Sequence, residues 1–307
     1  MDKKHTGVSH LLSRFRGWIQ AGATLLTNLH LPNFFKGGLY QGTGKTVCVP
    51  GLNCYSCPAA SGACPIGAFQ AVVGSSKFRF SYYITGFLIL LGVLLGRFIC
   101  GFLCPFGWFQ ELLHKIPTKK LSTKKLKPLT YLKYAVLLVM VFLLPAFLVN
   151  DVGMGDPFFC KYLCPQGVLE GAIPLSLANS GIRAALGSLF TWKFSILLAV
   201  VVLSVVFYRP FCKWLCPLGA FYALLNKVSL FQMKVDQNKC VSCGKCARAC
   251  KMDVDVTKSP NHTECIRCGM CIRACPTDAI RFRYGFGEGK DTEKTEKAVP
   301  APQNNTQ

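Results

Sequence analysis

A chain of 307 residues with 18 cysteines, 51% hydrophobic residues and a formal charge of +21 is too long and too apolar for a small secreted disulfide scaffold. Its lysines and arginines sit beside uncharged apolar runs, a pattern of membrane spans joined by basic loops rather than of a nucleic-acid-binding face. With 14 acidic residues and no legible Ser–His–Asp set or carboxylate pair, hydrolytic chemistry has no candidate residues.

The N-terminus is basic, and no small-residue cleavage site follows a compact apolar core, so no cleavable leader is expected. Gly17–Phe35 is uncharged and reads as a first span, though Gln20, Asn28, His30 and Asn33 dot it. Ala21-Gly-Ala-Thr24 has the form of a covalent-flavin threonine site but lies inside that span. Gly42-Thr-Gly-Lys-Thr46 resembles part of a phosphate loop, yet the required earlier glycine would fall at Leu39, so it reads as a loop. Further uncharged runs are Phe80–Leu95, Tyr134–Val149 with Pro145 inside, and Phe194–Tyr208 with Trp192 before it. Each approaches the ~20 residues that cross a bilayer. Val168–Phe190 is interrupted by Glu170 and Arg183 and reads as a loop or interfacial segment. His30 and His114 have no histidine at a partner position in another span, so haem ligation is not expected.

Four spans with the N-terminus inside place Lys3, Lys4, Arg14, Arg16, the lysines of 115–133, Arg209, Lys213, Lys227 and Lys234 on one side. The opposite side receives fewer: Lys36, Lys45, Lys77, Arg79, Lys161, Arg183 and Lys193. This bias puts both termini in the cytoplasm. The expected fold is an all-α multi-pass membrane domain of about four transmembrane helices over residues 1–228. A small α+β two-cluster domain follows over 229–284, then a polar, disordered tail over 285–307.

Residues 240–250 read Cys-x2-Cys-x2-Cys-x3-Cys, and 265–276 repeat the pattern with a final proline. Three cysteines at this spacing wrap one cubane, and the fourth reaches to the other cluster. Cys240, Cys243, Cys246 and Cys275 form one expected ligand set, and Cys265, Cys268, Cys271 and Cys250 the second. A pair of zinc sites is the alternative, disfavoured by two consecutive copies of the full spacing. The module resembles bacterial two-cluster ferredoxins, with Lys251 standing where the first copy usually carries proline.

A second repeat lies upstream: CPIGAFQAVV at 64–73, CPFGWFQELL at 104–113, CPQGVLEGAI at 164–173 and CPLGAFYALL at 216–225. Proline suits the first turn of a helix, and a helix starting there aims free N–H groups at the thiolates. Three copies have a second cysteine four residues upstream, Cys100, Cys160 and Cys212; the first copy has Cys57 seven residues upstream. Each copy offers two thiols, so two must meet. With the topology above, Cys100, Cys104, Cys212 and Cys216 form an inner set, and Cys57, Cys64, Cys160 and Cys164 an outer one, leaving Cys48 and Cys54 spare. These sets offer ligands for one or two further iron–sulfur clusters or metals beyond the two [4Fe–4S] clusters. Structural thiols at helix starts, or an outer disulfide between Cys48 and Cys54, are the plainer alternatives.

The stretch PGLNCYSCPAASGACPIGAF at 50–69, the Cys-x3-Cys-Pro pairs and the terminal double-cluster motif together resemble membrane-bound polyferredoxins. Among these are the quinol-dehydrogenase subunit linked to periplasmic nitrate reductase and the membrane half of the nitrous-oxide reductase regulator. The resemblance implies an electron-transfer subunit of an oxidoreductase complex in the inner cell membrane. It would join the quinone pool or cytoplasmic donors to an outside acceptor, with a separate flavin or cytochrome subunit as partner. Metal handling, meaning reduction or delivery of copper or iron to a respiratory enzyme, and redox-sensing regulation are the alternatives it leaves open.

Overall fold

The computed structural model describes residues 7–75, 81–151 and 153–285. Lys3, Lys4, Lys77, Arg79, Phe80 and the tail after Gly285 lie outside them. The chain is mostly helical, with one two-stranded sheet near its C-terminus. Two helices, Lys124–Phe147 and Ser188–Val206, are long and apolar enough to cross a membrane. Leu138, Val139, Leu143, Phe147, Leu198 and Val202 are exposed along them. Pro145 sits near the end of the first, where its missing N–H and its ring disfavour a tight turn; the preceding segment Leu137–Leu143 widens into a π-helix.

The other expected spans differ in extent. The first helix runs Val8–Thr27 rather than over Gly17–Phe35. It stops at Asn28 (φ −132°, ψ 55°), and Pro32 follows before a separate short helix at Asn33–Lys36. The run ending at Leu95 is helical over Tyr82–Leu95, 14 residues. Between Gly167 and Ala184 the helix breaks at Asn179, whose Oδ1 accepts from the N–H groups of Gly181 and Ile182 at 2.9 and 3.4 Å. Among the described residues, two helices therefore meet the length and composition of a membrane span, where about four were expected.

All four Cys-Pro repeats start helices: Pro65–Gly74, Pro105–His114 and Pro217–Leu225 begin at the proline, and the third begins just after Pro165. The preceding cysteine is extended in each copy, with ψ of 125°, 116°, 114° and 111° in chain order. Cys64, Cys104 and Cys216 thus occupy the N-cap position, and at Cys216 the thiol accepts from the Gly219 N–H.

In the C-terminal lobe, strand Phe231–Val235 pairs antiparallel with Ile280–Tyr284 in the register Phe231↔Tyr284 to Val235↔Ile280. The ribbon ties together the ends of the two-cluster segment. Left-handed backbone recurs at matching positions of the two halves: Ser242 and Arg267, Gly244 and Gly269, Asp253 and Asp278. The two cysteine loops therefore follow the same tight path.

One continuous core joins lobe and helices, since Met252, Val254 and Ile266 pack with Leu88, Ile99, Phe106, Phe211 and Tyr222. A Cβ at Gly101 would lie 2.3 Å from the Ile266 carbonyl oxygen, so only glycine admits this contact. The Gly101 carbonyl accepts from Arg16 Nε and Gln20 Nε2 of the first helix, both at 2.9 Å. Fully buried Asn226 donates to His262 O (2.8 Å) and Cys265 O (3.1 Å) and accepts from the Arg97 N–H (3.0 Å). Glu264 is shared by Arg97, at 2.8 Å, and by Lys133, both fully buried. Burial opposes ionisation of Glu264, but the two cations overcome it and hold its carboxyl down at about 2.

Removing one partner from such a group strands the others, at a cost of about 3–5 kcal/mol. Glu264→Gln should therefore lower the thermal midpoint of the purified chain and expose the connection between Leu225 and Phe231 to protease. An unchanged midpoint and digestion pattern would mean that the lobe is held by its apolar contacts alone.

Candidate functional site

The thiols of the C-terminal lobe gather in two places. Cys240, Cys243, Cys246 and Cys275 line a cavity of about 290 Å³. Cys250, Cys265, Cys268 and Cys271 line a smaller one beside Met252, Val254 and Ile266. The structure thus brings together the same two groups of four that the spacing implies, each with its fourth member from the other repeat. The first set is the outermost: Cys243 is exposed and Val241 beside it is 62% exposed. The second faces the helices through the Ile266–Cys268 segment on Gly101. Burial pushes the Cys265 thiol up to about 12 and raises those of Cys246 and Cys250, so charged thiolates here call for a positive core to bind.

Within the helical part, Cys100, Cys104, Cys212 and Cys216 are all buried and lie within electrostatic reach of one another. The Gly219 N–H donates to Cys216 Sγ at 3.3 Å, and Gln110 Nε2 donates to Cys212 Sγ at 3.0 Å. Gln110 Oε1 accepts from the Phe211 N–H at 3.2 Å, so one amide spans both repeats. The donor set suits a bound anionic cluster. Besides these N–H groups, fully buried Arg97 and Arg209 stand against the thiols with guanidinium nitrogens, including both Nη2 atoms, that have no hydrogen-bond acceptor in the protein.

The other two repeats meet in the same way. Gln70 Nε2 donates to Cys160 Sγ at 3.2 Å while its Oε1 accepts from the Phe159 N–H at 2.9 Å, repeating the Gln110 arrangement. Here the cavity wall differs from the expected set. The cavity, about 510 Å³, is lined by Cys48, Cys54, Cys64, Cys160 and Cys164, with Lys45 and Lys193, and Cys57 is not on its wall. Cys57 packs in a cluster with Ala59, Ala60, Phe34 and Cys54, its Sγ 3.6 Å from Asn28 Oδ1. The cause is Glu170, whose Oε2 accepts from the Cys54 N–H at 2.9 Å and turns that residue toward the third repeat. A Cβ at Gly167 would lie 3.7 Å from Cys54 Sγ.

Several contributors escaped the reading of cysteines alone. Gln70, Gln110, Glu170 and Tyr222 all stand six places after a Cys-Pro cysteine, and each reaches across to another part of the sites. Arg97 and Arg209 both stand three places before the first cysteine of a pair. Such shared offsets were the available signal.

The sets in the lobe and in the helices consist of cysteines alone. Among the described residues, no three His, Cys, Asp or Glu side chains converge on a point for a single ion. A cubane instead takes its thiolates at the corners of a larger body. A family described as a 4Fe-4S binding domain matches residues 62–83, 80–124, 133–173 and 189–236, and another of the same description matches 233–254 and 259–281. The chain belongs to the polyferredoxin family of 4Fe-4S binding proteins. Its cofactors are iron–sulfur clusters, two or more, and the family is one of electron transport. This polyferredoxin is 32% identical over 209 residues to an uncharacterized protein of Methanocaldococcus jannaschii, covering 65% of the chain and 77% of that relative. It is 28% identical to the methylamine utilization ferredoxin-type protein MauN of Methylorubrum extorquens, across 62% of the chain and 56% of MauN. Against the regulatory protein NosR of Pseudomonas aeruginosa the identity is 29%, across 52% of the chain and 21% of NosR. The chain thus spans little more than half of MauN and about a fifth of NosR. No solved structure matches this polyferredoxin.

The placement of the outer thiols separates Cys54 from Cys57. Cys54→Ser should lower the iron content by about four atoms per chain if this set holds a cubane, whereas Cys57→Ser should leave it unchanged. The reverse ranking, read by iron and acid-labile sulfide analysis, would restore the spacing-based assignment.

Proposed function

We propose that this polyferredoxin carries single electrons along four [4Fe–4S] sites, from a cytoplasm-facing lobe over 229–284 through the helical domain over 1–228 to its far side. The ligands in order are Cys240, Cys243, Cys246 and Cys275; then Cys250, Cys265, Cys268 and Cys271; then Cys100, Cys104, Cys212 and Cys216; then Cys54, Cys64, Cys160 and Cys164. The observation that carries this reading is the unbroken succession of contacts between neighbouring sets. The helices Lys245–Ala249 and Met270–Ala274 pack together. The Ile266–Cys268 segment rests on Gly101, next to Cys100. Gly51 rests on Cys104, where a Cβ would lie 2.8 Å from its Cα, and the same loop continues to Cys54. Tyr222 lies between the inner and outer sets, its hydroxyl donating to Pro50 O at 3.0 Å.

Bound [4Fe–4S] clusters supply one-electron storage and release. The chain's residues do the rest: the Cys-Pro turns aim N–H groups at the thiolates, Gln70 and Gln110 lock the thiols of facing repeats, and the core of Leu52, Ile66, Phe106 and Leu218 excludes water. The helices Val8–Thr27 and Tyr82–Leu95, beside the two long ones, supply four spans with both termini in the cytoplasm. A quinone, a flavin or cytochrome subunit, or a soluble carrier completes the circuit at either end. Metal reduction or delivery at the far side is the second reading, favoured by the fifth thiol, Cys48, in the outer cavity.

Two measurements test the proposal on the full-length protein. Cys104→Ser and Cys216→Ser should abolish one and the same paramagnetic resonance signal and leave the lobe signals intact. In sealed vesicles, reduction of the lobe should reach an acceptor trapped on the other side in the native chain and not in either variant. Loss of different signals by the two variants, or transfer that survives them, would overturn the relay.

A further inference from the structure

Arg97 and Arg209 occupy equivalent places in the second and fourth repeats, each three residues before Cys100 or Cys212. Both are fully buried. Arg97 Nη1 donates to Thr263 O at 2.9 Å and to Glu264 at 2.8 Å, while its Nε and Nη2 have no acceptor in the protein. Arg209 Nη1 donates to Cys100 O, and its Nε lies 2.8 Å from Glu111 Oε1 without hydrogen-bond alignment; its Nη2 is unpartnered.

The two guanidiniums lie within electrostatic reach of one four-cysteine set, Arg97 of Cys100 and Cys212, and Arg209 of Cys104 and Cys212. Arg97 Nη2 lies 3.7 Å from where a Cβ at Gly219 would stand, and Arg209 Nη1 and Nη2 lie 2.9 and 3.0 Å from the corresponding point at Gly107. Both glycines are the fourth residue of a Cys-Pro-x-Gly turn; at Gly107 the missing side chain leaves the room that Arg209 occupies, and at Gly219 Arg97 stands at ordinary contact distance. Arg209 is held in left-handed backbone (φ 50°), an uncommon conformation for a non-glycine residue. An unpaired donor buried this deeply is costly, which calls for an anion between the two arginines.

The charge of that anion follows from the neighbours. Glu264 is shared by Arg97 and Lys133, and Glu111 by Arg209 and Arg16. Each carboxylate offsets one of its two cations, so each group keeps one positive charge, two in all. A [4Fe–4S] core of charge 2+ on four thiolates is a dianion, the complement of that excess. The outer cavity has lysines instead: Lys45 donates to Tyr55 O at 2.7 Å and Lys193 to Cys160 O at 3.0 Å.

We infer that Arg97 and Arg209 are the fixed counter-charges of the inner four-cysteine site and raise its reduction potential selectively, an inference resting on the proposed cluster at Cys100, Cys104, Cys212 and Cys216. In a low-dielectric interior an added electron is met by no solvent, and two buried cations stabilise the reduced form. With clusters bound, one electron would leave the one that Cys250, Cys265, Cys268 and Cys271 would hold, oxidising it, and would reduce the one that Cys100, Cys104, Cys212 and Cys216 would hold. No bond forms or breaks and no proton is transferred.

The test is a redox titration of the full-length protein, following the signal that Cys104→Ser removes. Arg97→Gln and Arg209→Gln should each shift its midpoint to lower potential, the double variant further, while the lobe midpoints stay in place. Arg97→Lys and Arg209→Lys should restore most of the shift, because they return the charge without the fork. Loss of the inner signal in the glutamine variants with retention in the lysine variants supports the same role. An unshifted midpoint in the glutamine variants, an equal shift of every signal, or loss of the inner signal in the lysine variants too would overturn it. A native chain without any signal sensitive to Cys104→Ser would instead remove the cluster assignment on which it rests.

Discussion

Gathering four cysteines in an apolar interior is the constraint on which this structure depends. Any charge on their thiols is unscreened there, and each buried charge needs a compensating dipole or cation. The chain meets this need with one local device used four times. Proline at the first helical position leaves the preceding cysteine extended, as at Cys64 and Cys216, and at Cys216 the thiol accepts from the Gly219 N–H. Glycine two residues after the proline keeps the first turn bare on its other side, where groups of the facing repeat approach: Cys160 at Gly67, Arg209 at Gly107, Cys54 at Gly167 and Arg97 at Gly219.

One such turn cannot finish a site, and the assembly of halves follows. The first repeat meets the third through Gln70, and the second meets the fourth through Gln110, with the same pair of hydrogen bonds in each case. The equivalent residues of the later repeats have diverged. Glu170 captures the backbone of Cys54, and Tyr222 captures that of Pro50, so the 50–54 loop is pinned by the third and fourth repeats together. That loop lies between the two helical sites and couples their positions.

The same economy shapes the junction with the C-terminal lobe. Arg97, three residues before Cys100, pairs with Glu264, next to Cys265, and leaves its Nε and Nη2 without an acceptor in the protein. Asp253, three residues after Cys250, pairs with Lys213, next to Cys212. Both ion pairs join a residue close to a lobe cysteine to one close to an inner cysteine. The lobe is therefore anchored beside its second set of thiols, and its first set is left at the surface, where Cys243 is exposed.

The sequence by itself determined the chemistry and the local geometry. Cysteine spacing is a short-range property, set by loops and single helical turns, so the two four-cysteine groups of the lobe and the four helix starts were legible before any fold was known. That a repeat with two thiols needs a second was also legible, whereas the choice of Cys212 and Cys216 as the company of Cys100 and Cys104 came from the expected topology. What only the tertiary structure decided depends on contacts between distant segments. Cys54 rather than Cys57 reaches the outer cavity because Glu170, more than a hundred residues later, holds its N–H. The extent of the first helix turns on the break after Thr27, and Asn28 there donates to Thr24 O at 3.1 Å while its Oδ1 faces Cys57. Arg97 and Arg209 follow the apolar runs that end at Leu95 and Tyr208. Folding buries them against the thiols, and no local pattern reports the burial of a charge whose partners lie on other helices.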